Sequence, residues 1–111
     1  MSLITKHAGI VVAAAAAIVM LAFAQPASAQ QGKTLFNQKG CPSCHGADAN
    51  TPLAPNYPKL KGQNADYVVA QIKAFKSGER KGGMSAVMAP MAATVSDAEA
   101  VEIAKWISSL K

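Results

Sequence analysis

The apolar residues of the chain fall into four blocks, each with its own rhythm. Ala8 to Ala24 is an almost unbroken apolar run rich in alanine. Further on, Leu35 and Phe36 sit in a short segment from Gly32 to Gly40, with Lys39 in the last turn and Gly40 as a stop. That pattern predicts a short helix. Val68, Ile72 and Phe75 then recur at i, i+4, i+7, one face of a second helix. Asn64 is its expected N-cap, Asp66 lies in its first turn, and Ser77-Gly78 marks its end. Ile103, Trp106, Ile107 and Leu110 form the last stripe, behind the capping box Ser96-Asp97-Ala98-Glu99. This third helix is expected to run nearly to Lys111.

Two irregular stretches separate the helices. Gly46 to Gly62 contains Pro52, Pro55 and Pro58, which forbid regular helix. Glu79 to Ala93 contains Gly82-Gly83 and three methionines and is read as a second loop. No strand pattern or internal repeat is present. The expected fold class is all-α: three main helices and long loops. Loops of this length in a small domain are uncommon unless they serve a function. A flat cofactor packed between them would account for them.

The first apolar block changes the size of the domain. Met1 to His7 carries Lys6, the apolar run spans 17 residues, Gln25-Pro26 breaks it, and Ala27-Ser28-Ala29 follows. A positive start, an apolar middle and a small-residue site describe a secretory leader. Residues 1–29 are therefore expected to be a signal peptide and 30–111 the mature domain, placing the protein in the periplasm. The alternative is a retained anchor, for which the run is at the short edge of a membrane span. A domain of 82 residues has a poor ratio of core to surface. Small exported domains compensate with disulfides, metals or other staples. Removing Lys6 leaves ten basic against six acidic residues, formally +4. That balance suits an acidic partner and is too weak and scattered for nucleic acid.

The mature chain has only Cys41 and Cys44, and a disulfide between them would close a tiny loop. They belong to Cys41-Pro42-Ser43-Cys44-His45, the C-x-x-C-H sequence of covalent haem attachment. Two thiols three residues apart can each form a thioether to one vinyl group on a haem edge. His45 is then held beneath the ring, where its imidazole can reach iron. Three alternatives are weaker. A thioredoxin-like redox pair requires a βαβ context. A zinc site needs four ligands, and only Cys41, Cys44, His45 and the leader residue His7 are at hand. A coincidental pair leaves the small core unexplained.

From Gly32 to Lys111 the sequence resembles a class I cytochrome c, in particular the bacterial cytochrome c4/c5 kind. The matching stretches are Cys41 to Gly46, Ala54 to Gln63, Tyr67 to Gly78, and Met88-Ala89-Pro90-Met91 before Val95-Ser96-Asp97. The resemblance implies one covalent haem c with the helices and loops wrapped around it. It implies that the first and last helices cross, with Gly32 and Phe36 against the face of Trp106. It also implies that a proline carbonyl after the motif accepts a hydrogen bond from the proximal histidine, and Pro55 matches that position. Such a bond orients the imidazole and raises its basicity.

A second axial ligand decides the function, because iron with one protein ligand binds gases or peroxide and iron with two passes electrons. After cleavage no second histidine remains, and Met84, Met88 and Met91 are the residues on offer. The family places its axial methionine eight residues before the capping serine, which is Met88. The expected cofactor-binding residues are thus Cys41, Cys44, His45, Pro55 and Met88, with His45 and Met88 on the metal. The expected function is one-electron transfer, with no catalysis by the chain itself. Redox proteins would be its partners, with no membrane span after cleavage, and it would act as a monomer or as a subunit of a redox complex. The alternatives are a haem subunit docked on a periplasmic dehydrogenase or oxidase, and a ligand-binding or peroxidase-like protein with an open sixth position.

Overall fold

The computed structural model describes residues 27–111. The leader expected over residues 1–29 lies almost entirely outside the described residues. Its last three positions form the first turn of helix α1, Ala27–Gln38. Four more helices follow: α2 Pro42–His45, α3 Ala65–Ser77, α4 Ser85–Ala92 and α5 Asp97–Ser109. No strand occurs among the described residues.

Helix α1 lies across α5, and the packing starts from a residue without a side chain. A Cβ at Gly32 would collide with the Glu102 carbonyl oxygen and lie 2.6 Å from Trp106 Cβ. One turn on, Phe36 meets Trp106 with ring centroids 4.9 Å apart and planes tilted by 52°, within the range favoured by aromatic pairs. Phe36 and Ile107 are the largest fully buried side chains. The expected crossing of first and last helices is therefore present.

Helix α3 covers the rest of α5. Val68 and Ile72 share one buried cluster with Ala100, Ile103, Ala104 and Ile107, while Phe75 is half-buried against it. Both ends of α3 are as the sequence predicts. The Asn64 side chain accepts from Tyr67 N, and Gly78 closes the helix in the left-handed conformation. Ser96 and Glu99 form the full capping box of α5.

Two elements differ from expectation. The first helix begins at Ala27 rather than Gly32. The stretch from Glu79 to Ala93 holds α4, an eight-residue helix with Pro90 inside it. Neither change alters the fold class, and α4 carries Met88 and Met91, with Met84 as its N-cap.

Candidate functional site

The attachment motif forms its own turn of helix. Gly40, at φ 78°, ends the first helical segment, and Cys41 is the N-cap of α2 with Pro42 following it. Backbone N–H groups of Cys44 and His45 both donate to the Cys41 carbonyl, at 3.2 and 3.0 Å. Positions i and i+3 of such a turn share a face, so both thiols project to the same side. Burial pushes the Cys41 thiol up to about 11 where no haem is attached. A redox-catalytic cysteine requires a readily formed thiolate. The environment of Cys41 therefore opposes a thioredoxin-like role.

His45 is buried, and its Nδ1 donates to the Pro58 carbonyl at 2.8 Å. A carbonyl can only accept, so the proton is on Nδ1 and the lone pair is on Nε2. The imidazole is oriented as a ligand and held in one tautomer. This corrects the expectation that Pro55 supplies the carbonyl. The loop reaches His45 three residues later, and Pro55 is an exposed loop residue. The register is fixed from the other side of the loop. The Ala49 carbonyl accepts from both Leu60 N (2.7 Å) and Lys61 N (2.9 Å), which holds the segment carrying Pro58.

That arrangement draws in a residue that the sequence reading did not single out. Ala49 is fully buried and lies at φ 58°, a region that non-glycine residues seldom adopt. The neighbouring Asp48 carboxylate accepts from Asn50 N, Thr51 N and Thr51 Oγ1, each at 2.8 Å. The Asn50 N–H, then the Thr51 hydroxyl, hold this carboxyl below its ordinary range. Asp48 thus stabilises the turn that places Ala49. The Asp-x-x-Thr spacing is visible in the sequence as a turn, but its tie to the histidine is visible only in the fold.

Helix α4 approaches from the opposite end of the chain. A Cβ at Gly40 would lie 3.4 Å from Met91 Cε, so Met91 reaches the residue next to Cys41. Met88 is half-buried against the core cluster, which Cys41 also flanks. Met84 and Met91 are each more than a third exposed. Together with Met88 they fall at i, i+4, i+7, on one stripe.

This donor set fits covalent haem. Two thiols lie on one face of a turn, an imidazole presents Nε2, and soft thioethers lie on a helix beside the motif. Apolar side chains border it: Leu53, whose N–H donates to the Cys44 carbonyl at 3.1 Å, is 67% exposed. Among the described residues, no three of His, Cys, Asp and Glu converge as ligands for a single ion, so the motif does not have the geometry of a zinc site.

Residues 29–111 match the family model described as cytochrome c. The chain belongs to the cytochrome c family. It is 49% identical over 69 residues to cytochrome c-554(548) of Halomonas halodenitrificans, covering 62% of this chain and 82% of that one. It is 39% identical over 75 residues to a thiosulfate dehydrogenase electron acceptor of Thiomonas intermedia, covering 65% of this chain and 34% of that one. The crystal structure of reduced recombinant cytochrome c4 from Pseudomonas stutzeri superposes with a TM-score of 0.67 and 31% identity, covering 80% of this chain and 51% of that one. The chain thus spans about half or less of the last two. It is an electron-transfer protein of the haem c class, and Cys41, Cys44 and His45 stand at the spacing of the covalent attachment motif; a protein of this family works with redox protein partners. No described helix is long and apolar enough to cross a membrane.

Proposed function

We propose that this cytochrome is a periplasmic one-electron carrier, without catalytic activity of its own, whose iron is held by His45 and Met88. The observation that carries the reading is the hydrogen bond from His45 Nδ1 to the Pro58 carbonyl. It leaves Nε2 available to a metal and orients the ring, which supports a site in which little rearrangement accompanies a change of charge. Haem, when bound, supplies a one-electron couple at its iron. Cys41 and Cys44 keep it attached to a domain too small to enclose it. The Pro58 carbonyl makes His45 a better donor and stabilises the oxidised form. Met88, a soft and weakly basic thioether, favours the reduced form relative to a second imidazole.

Three features support Met88 over its neighbours. It lies eight residues before Ser96, the N-cap of α5. It sits inside α4, whereas Met84 is only the N-cap. It is also the methionine packed against the core. The leader pattern over residues 1–29 supports export to the periplasm.

Met88→Ala decides the ligand. It should abolish the long-wavelength methionine-to-iron charge-transfer band of the oxidised protein and lower the reduction potential, whereas Met91→Ala should retain the band. An unchanged Met88→Ala spectrum would assign the ligand elsewhere. A high-spin wild-type protein that takes up carbon monoxide readily would support an open, peroxidase-like site. A second reading, that the chain serves as the haem subunit of a dehydrogenase complex, is favoured by its likeness to the thiosulfate dehydrogenase electron acceptor. Co-purification with a larger oxidoreductase from the native periplasm would distinguish it from a free carrier.

A further inference from the structure

The two ends of α4 are held in different ways. At its start the chain is anchored as far as Arg80, whose backbone N–H donates to the Ala74 carbonyl. The Arg80 guanidinium lies 4.6 Å from the Phe75 ring centroid and donates to Gln71 Oε1. Beyond it, Gly82 and Gly83 have φ of 91° and 51°, and a Cβ on either would meet nothing within 4 Å. That is a glycine joint in open space. At its end α4 turns through Ala93, Thr94 and Val95 into α5. There Lys39 Nζ donates to the Thr94 carbonyl at 2.9 Å, and Lys76 Nζ donates to the Val95 carbonyl at 2.6 Å.

These two lysines come from different helices. Lys39 follows the last residue of α1, and Lys76 is in the last turn of α3. Each also has an acidic partner at the start of α5: Glu99 at 3.2 Å for Lys39 and Asp97 at 3.4 Å for Lys76. Their side chains are only 24% and 28% exposed. Ammonium-to-carbonyl bonds in such a partly desolvated place are stronger than those between neutral groups. Two cations on adjacent carbonyls pin the turn to both flanking helices.

We infer that Lys39 and Lys76 are positioning residues for the axial methionine, latching the C-terminal end of the α4 arm so that Met88 stays within reach of iron. The inference rests on Met88 being the ligand. A neutral thioether is a weak donor, so its binding depends on how closely the backbone confines it. With a glycine joint at one end, the packing of α4 on α3 is completed by what holds the other end. The same contacts set these two lysines apart from the surface cations that would steer a partner.

The test is carbon monoxide binding to the reduced holoprotein, which requires the methionine to leave. Lys39→Leu and Lys76→Leu should each speed binding roughly ten- to a hundredfold, the factor expected for one charge-assisted hydrogen bond, and the double variant should speed it further. The ferric charge-transfer band should weaken in parallel. Lys76→Arg should restore slow binding. Ile107→Val lowers stability from within the α1–α5 core and serves as the control. The inference is overturned if the lysine variants bind carbon monoxide as slowly as wild type, or if the rate simply follows the unfolding midpoint in all variants, Ile107→Val included. Failure of the ligand assignment itself shows differently, as an unchanged band in Met88→Ala.

Discussion

His45 shows how a single residue's chemistry can be legible while its surroundings are not. Its place after Cys44 marks it as the expected iron ligand, because C-x-x-C-H is the sequence of covalent haem attachment. Its hydrogen-bond partner, Pro58, lies three residues beyond the expected Pro55, because the loop offers Pro52, Pro55 and Pro58 and any of them can expose a carbonyl. The choice of Pro58 depends on Ala49, a buried alanine in a left-handed conformation, which composition cannot reveal. Asp48 stabilises that turn and gives it a pH dependence. Its carboxyl is held low in the folded state, so its contribution is fully present above the unfolded value of about 4 and is lost as pH falls through the folded value. Asp48→Asn should therefore flatten the acid limb of the stability curve. Chemical denaturation between about pH 5 and pH 2 checks this; parallel curves for variant and wild type would contradict it.

Gly32 belongs to the same scale. Its missing side chain lets α1 and α5 approach closely, since even one methyl group would meet Trp106 Cβ and the Glu102 carbonyl. Gly32→Ala should cost about 1–3 kcal/mol, the usual penalty for overpacking. Thermal unfolding of the holoprotein measures it, and an unchanged midpoint would mean that the helices can separate freely.

Among the elements, helices with an apolar stripe and a cap were readable. Asn64, Gly78 and the Ser96–Glu99 box stand where the caps are found, because each satisfies backbone groups that the helix leaves unpaired. Ser96→Ala should lower stability by about 1 kcal/mol, a fall in unfolding midpoint of roughly 4–8 °C for a domain this size. A loss well below that would show the box to be redundant. Helix α4 was hidden for a physical reason. Ser85–Ala92 has no polar face opposing an apolar one, and Pro90 normally breaks a helix. Its single stripe is the methionine series 84, 88, 91, which reads as loop filler in a segment rich in glycine. Tertiary contact decides the conformation here: α4 packs on α3, and its end is tied down by Lys39 and Lys76.

At the scale of the molecule, the shortage of core was the informative quantity. A domain matched over residues 29–111 without a structural disulfide needs another source of cohesion. The buried cluster contains the α1–α5 crossing, while Leu53 and Met91, both next to the motif, are exposed. A core built on one helix crossing, with Cys41 and Met88 only partly buried at its margin, suits a small shell around a covalently held cofactor. The pattern of long loops anticipated this arrangement. What it could not provide was the way the loops are locked, since that depends on carbonyls such as those of Ala49, Thr94 and Val95, which carry no mark in the sequence.

The central claim is that iron is closed on both faces, by His45 and by Met88. The absorption spectrum of the purified holoprotein, recorded oxidised and then reduced under carbon monoxide, tests it most directly. A low-spin ferric spectrum with the methionine charge-transfer band, and a reduced spectrum that carbon monoxide scarcely alters, is the expected result. A high-spin ferric form with rapid and complete carbon monoxide uptake would contradict it.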